Sequence, residues 1–390
     1  MRIHRAKANE NIYDVAREYG APPSYLREIN RVGSGELCEG REIIVPLPTR
    51  TYNVRRGDTL GSISKRFEVP EGKIIALNPE LRGRREIYPG QLLVLRLDCV
   101  QSAVAVTNGY CYGGCSRSRL SEYMPYLNFL TVCGTVARGA DIRSAPWERG
   151  VAEYGRAEGK YTLLRIYIES LPECERYDFI RGAVMLAGSH GYCGITLGGE
   201  KNAEGNLSEL MLEMQKQLLA AGLCLVCEGS VGEDSEYMEY ADMGVLRYDK
   251  LWREPIPSFE GGERRKITEH ADRWDISSAF LDMSAFAKCD GRYISREDAL
   301  RITEKRGAKI THCDEGKYIT VESGRDRAVL ESVENTKERL ELMGELGFFG
   351  VSFDIMRVPP AEIYMLRAML SDVTNGGFVS QLNCLGEIKE

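Results

Sequence analysis

Gly191-Tyr192-Cys193-Gly194-Ile195-Thr196-Leu197-Gly198-Gly199-Glu200 is the stretch on which the fold of the larger part of this chain turns. A short apolar run between glycines reads as a strand near Cys193–Leu197, buried on both faces as in a parallel sheet. The paired glycines end it and leave Glu200 at its carboxyl end. Similar runs recur near Ala103–Gly109, Leu127–Cys133, Thr162–Ile168, Leu223–Cys227, Met243–Tyr248, Ser278–Met283 and Gly350–Phe353. Helical stretches lie between them, among them Thr336–Leu346 and Ala203–Ala221, which sets Leu207, Leu210, Met211, Met214 and Leu218 on one face. Strands alternating with helices predict an α/β fold, a TIM-type (β/α)8 barrel over 103–373. Asp290–Arg327 is too long for a simple loop and predicts a small α+β insertion at about 288–328, after the seventh strand.

In such a barrel the chemistry gathers at the carboxyl ends of the strands. The polar residues falling there are Glu169, Glu200, Glu228, Tyr248, Asp249, Asp282 and Asp354. Each alone reads equally as a helix cap or a solvated loop residue. As a set they outline a pocket.

Ahead of the barrel lies an internal duplication. At an offset of 48, Ile12 matches Leu60, Val15 matches Ile63, Tyr19 matches Phe67, Leu26 matches Ile74 and Asn30 matches Asn78. Each copy reads as a strand, two helices and a closing strand, a βααβ unit. The copy at 51–97 resembles a LysM module through Gly57-Asp58-Thr59-Leu60, Asn78-Pro79 and Pro89-Gly90. The copy at 1–48 keeps the core and Asn30 but has Ala8-Asn9-Glu10-Asn11 in place of the Gly-Asp-Thr turn, a divergent module. The resemblance implies binding of N-acetylglucosamine polymers such as peptidoglycan or chitin. Gly57, Asp58, Thr59, Leu60, Asn78 and Pro79 are the implied glycan-binding positions. A role as spacer or protein-docking module is the plainer alternative.

The module order and the barrel segments together resemble family 18 glycoside hydrolases, specifically the spore-cortex branch with two leading LysM modules. The segments are Gly109-Tyr110-Cys111-Tyr112, the Gly191–Glu200 stretch, Leu246-Arg247-Tyr248-Asp249, and Leu330–Thr336 with Gly347–Phe353. The resemblance implies that Glu200 is the general acid/base and that Tyr248 holds the substrate acetamide, with Tyr110 and the mouth carboxylates around the sugar. The sugar's own N-acetyl oxygen then attacks C1, an exception to the two-carboxylate scheme. The family's assisting Asp, two residues before the acid, is here Gly198, and its floor tryptophan is replaced by Phe353-Asp354-Ile355. Two functions follow: a hydrolase retaining Glu200, or a catalytically silent relative that holds glycan in a wall or spore layer.

Composition excludes other classes. Apolar residues at 43% and charged residues at 28% suit a globular protein, and a net charge of −7 argues against nucleic-acid or anionic-lipid partners. Without a long apolar run or a signal-peptide core, the expected product is soluble, made in the cytoplasm and deposited on a spore layer or wall. The twelve cysteines are scattered rather than set in paired CxxC blocks and there are only four histidines, whereas a zinc site needs four converging ligands, so no metal or cofactor is expected. Buried reduced thiols are the plain reading of the cysteines, and cross-linking in an oxidising layer is the other.

Overall fold

The computed structural model describes residues 2–33, 35–81, 84–97, 103–104, 106–230, 236–247, 264–273, 276–283, 287–289, 292–305, 307–313, 317–358 and 370–371. Tyr248 and Asp249 lie outside them.

The duplication is visible in three dimensions. In the first unit, Arg2–Arg5 pairs antiparallel with Glu42–Val45 around helices Ile12–Tyr19 and Pro23–Asn30. In the second, Pro48–Asn53 pairs with Leu92–Leu97 around helices Leu60–Phe67 and Glu71–Leu77. Both leading helices start with a reciprocal cap, Asn11 with Asp14 and Thr59 with Ser62, which satisfies N–H groups that have no partner within the helix. Both second helices end in an asparagine that binds the closing strand. Asn78 accepts from the Val94 amide at 2.7 Å and donates to the Val94 and Ile74 carbonyls, while Asn30 does the same with Ile44 and Leu26.

Beyond these units, eight parallel strands close into a barrel. They are Val106–Tyr112, Phe129–Arg138, Tyr161–Ser170, Gly194–Gly198, Cys224–Ser230, Met243–Arg247, Ala279–Asp282 and Gly350–Asp354. Each pairs in parallel with the next, and the eighth closes on the first. The expected fold is therefore observed, with several strands ending later than the sequence suggested. Tyr110, Glu169, Glu228 and Asp354 consequently sit inside strands rather than in the loops after them. Alternate residues face in: Val106, Tyr110, Phe129, Cys133, Leu163, Val226, Val245 and Phe280 fill the interior, while Leu130, Val132, Leu164, Ile166, Ile195 and Leu197 face the helices. Between the seventh and eighth strands runs a five-stranded antiparallel sheet, from Ala287–Cys289 to Asp326–Glu331, with helix Arg296–Arg301 against it. Among the described residues no helix is long and apolar enough to cross a membrane.

Candidate functional site at the barrel mouth

Strand periodicity brings Arg165, Glu228, Arg247 and Asp282 to the carboxyl end of the barrel interior, each from a different strand. Arg165 grips Glu228 through two parallel bonds, Nε to Oε1 at 2.7 Å and Nη2 to Oε2 at 2.8 Å. Arg247 continues the chain, with Nη1 at 3.6 Å from Glu228 Oε1 and Nε at 3.4 Å from Asp282 Oδ2. The Arg247 guanidinium lies 5.2 Å from the centre of the Tyr110 ring, and Tyr110 stacks with Tyr112. The result is a buried lattice of alternating charge, 2% exposed at Asp282 and 8% at Glu228. Burial pushes the Glu228 carboxyl up, but Arg165 and then Arg247 outweigh it and hold it below the usual carboxylate range. Burial likewise raises the Tyr110 and Cys133 side chains far above their ordinary values, so both stay neutral.

This lattice fills the place where Gly198 has no side chain. A Cβ there would stand 2.5 Å from Arg165 Nη2, 2.8 Å from Glu228 Oε2 and 3.0 Å from Arg165 Cζ. Where the resemblance leads one to expect a carboxylate, this chain has a guanidinium already paired. Glu200 follows differently. Gly199 adopts φ +72°, where a Cβ would strike the Ile168 carbonyl, and the chain leaves the strand for the 3-10 turn Glu200–Asn202. Period-two alternation with Gly198 ends at that turn. Glu200 is 7% exposed, and its charge helps raise the Cys227 thiol, a sulfur that packs on Met211 outside the barrel.

The remaining positions are dispersed. Glu169 stands on the rim, half-exposed and paired with Arg138. Asp354 caps the turn after the eighth strand, accepting from the Met356 amide at 2.8 Å and pairing with Arg357, and burial raises its carboxyl. The structure thus brings together Tyr110, Glu228 and Asp282. It places Glu169 on the rim and Glu200, buried, in the 3-10 turn that follows the fourth strand. The reading of the sequence missed the cations Arg165 and Arg247. A basic residue at an inward position of an otherwise apolar strand, as in Leu163-Leu164-Arg165-Ile166, was the available signal.

In the second front unit, Asp58 accepts from the Tyr52 hydroxyl at 2.7 Å and the Arg55 amide at 2.8 Å. Those bonds, the Arg55 amide first, hold its carboxyl below the ordinary value. Thr59 caps its helix, Leu60 is core, Asn78 is wholly buried and Pro79 opens a 3-10 turn. The Gly57 turn and exposed Tyr88 lie beside each other, because Val54 exchanges backbone bonds with Gln91 and Gly90. Among the described residues one cluster has donors close enough for a metal: His4, Glu10 and Glu18 in the first unit. His4 and Glu10 already bond at 2.8 Å.

Comparison with known proteins follows this division. Residues 52–96 match the LysM domain family. Over 244 residues, 57% of this chain, the sequence is 21% identical to the "Putative sporulation-specific glycosylase YdhD" of Bacillus subtilis (strain 168). That alignment spans 56% of the relative, so the chain matches little more than half of its length. The fold is similar to the spore cortex-lytic enzyme SleL of Bacillus cereus, with a TM-score of 0.70 at 16% identity, covering 95% of this chain and 98% of that one. It is also similar to a chitinase of Chromobacterium violaceum ATCC 12472, with a TM-score of 0.56 at 14% identity, covering 69% of this chain and 100% of that one. The chain thus contains a LysM domain and a barrel of the TIM type shared with family 18 chitinases.

Proposed function

We propose that this protein binds an N-acetylglucosamine-containing polymer, peptidoglycan of the spore cortex or a chitin-like glycan, and that its barrel does not cleave it. The LysM domain supports the binding. The observation that carries the silent barrel is the Arg165–Glu228 pair lodged at Gly198. In the assisted scheme implied by the resemblance, a carboxylate beside the acid stabilises a developing cation. The Arg165 guanidinium in that place, already paired with Glu228, leaves the cation no free counter-charge, and loss of one well-placed electrostatic group already costs about 3–4 kcal/mol. The likeness to sporulation proteins supports a spore-associated location. The second reading, hydrolysis with Glu200 as acid/base and Tyr248 as acetamide partner, draws on the buried carboxyl retained just past the fourth strand.

One experiment separates the two. Purified protein is incubated with insoluble cortex peptidoglycan and with chitin, and both sedimentation and released reducing ends are measured. Co-sedimentation without new reducing ends is expected. Reducing ends that disappear in Glu200→Gln would overturn the silent reading, and absence of co-sedimentation with either polymer would overturn the binding.

A further inference from the structure

The first front unit rests against the antiparallel insertion, and between them lies a cleft with about 80 Å³ of open interior. Its lining holds four arginines and three glutamates, a formal excess of one positive charge. Most of these charges are spoken for. Arg296 lies 3.3 Å from Glu42, Arg31 bridges Glu122 and Glu297, and Arg301 pairs with Glu297 and Asp298.

Arg41 differs. It is 7% exposed, yet its one side-chain bond among the described residues runs from Nη1 to the Thr303 hydroxyl at 2.9 Å. That hydroxyl donates onward to the Leu300 carbonyl. No described carboxylate stands within ion-pair distance of Arg41. Burial lowers its basicity, with Glu304 opposing that effect and Arg296 adding to it. None of its guanidinium nitrogens is both buried and without a partner, so the unbonded ones open onto the cleft that Arg41 lines. A guanidinium fork facing a cleft, with most of its N–H donors unused, is the geometry that takes a planar oxyanion through two parallel bonds.

We propose that this cleft binds a small monoanionic carboxylate, clamped by Arg41 between the first unit and the insertion. A planar carboxylate matches both the fork and the volume. Bound there, it ties the first unit to the insertion and stabilises the whole chain by mass action.

The test uses the full-length protein in low-salt buffer, titrated with sodium acetate, sodium phosphate or sodium chloride at matched ionic strength. Calorimetry and thermal unfolding are the readouts. Expected is a saturable heat and a rising Tm with acetate, at least about tenfold weaker with chloride and at least about tenfold weaker in Arg41→Met. No saturable response to acetate, an equal response in Arg41→Met, or tighter binding of phosphate than of acetate would overturn the proposal. Should Arg41→Met fail to fold, Arg41→Lys replaces it. That variant keeps the charge and loses the fork, so affinity falling about tenfold supports the clamp and unchanged affinity refutes it.

Discussion

Gly198→Asp is the perturbation that probes the proposed silent barrel most directly, because it puts a carboxylate where the resemblance leads one to expect it. The structure gives its cost. The new Cβ would lie 2.5 Å from Arg165 Nη2 and 2.8 Å from Glu228 Oε2, whereas non-bonded atoms settle at about 3.5–4.0 Å. Both side chains must retreat by about 1 Å, while strand four, hydrogen-bonded on both edges, cannot. Overpacking of this kind costs about 1–3 kcal/mol. The added carboxylate then competes with Glu228 for Arg165, leaving one buried acceptor short of its partner at a further cost of about 1–3 kcal/mol. The expected loss is roughly 2–6 kcal/mol, which at about 2 °C per kcal/mol for a domain of this size is a fall in Tm of about 4–12 °C. Reducing-end release from cortex fragments should stay at background, because Arg165 neutralises the new charge. Gly198→Ala, which tests sterics alone, should lose about 1–3 kcal/mol. A Gly198→Asp protein with unchanged Tm, or with hydrolysis raised more than about tenfold, would refute this reasoning.

Other outcomes follow from the same coordinates. Glu228→Gln withdraws the shared anion from Arg165 and Arg247 and should destabilise by about 3–5 kcal/mol in thermal or denaturant unfolding. Arg165→Met should cost less, because Arg247 still lies 3.6 Å from Glu228. Asn78→Ala removes three buried bonds that hold the closing strand of the second unit, and should cost about 2–3 kcal/mol and weaken co-sedimentation with peptidoglycan. Glu80 has its carboxyl pushed up to about 7, chiefly by burial with Glu28 nearby. An acid whose folded value exceeds its unfolded one favours folding when protonated, so this contribution grows as pH falls from about 7 to 4.5. Glu80→Gln should therefore raise the Tm at pH 8 and change it little at pH 5. An equal shift at both values would contradict the assignment.

The barrel was legible because its signal is collective. Eight apolar runs at helix-length spacing leave few architectures open, and errors of two or three residues at each end do not change the count. The front duplication was legible for the same reason, and Asn30 and Asn78, matched by offset alone, make the same bonds to Ile44 and Val94. Strand ends were less readable. The second and third strands run on to Arg138 and Ser170 with irregular register, which depends on pairing between distant segments rather than on local composition. Glu169 was accordingly expected after a strand and stands within one.

Site chemistry was legible in part: Tyr110, Glu228 and Asp282 meet around Arg247, whereas the cations themselves were not read. The resemblance leads one to expect a carboxylate at Gly198, but nothing local says what occupies the space, because the occupant arrives from the neighbouring strand. Arg165 is 33 residues earlier in the chain and Glu228 is 30 later, and they meet only because parallel pairing sets both beside Gly198. The same logic explains why a glycine is required there. A guanidinium directed across the top of the barrel needs the volume that a side chain on strand four would take, so the absence at Gly198 and the cation at Arg165 form one structural feature. Arg247 extends it, bringing a cation within 3.4 Å of the buried Asp282 carboxylate. A single substitution at Gly198 therefore meets a lattice that already fills its space. A carboxylate could be seated at position 198 only if Arg165 and Glu228 changed together with it.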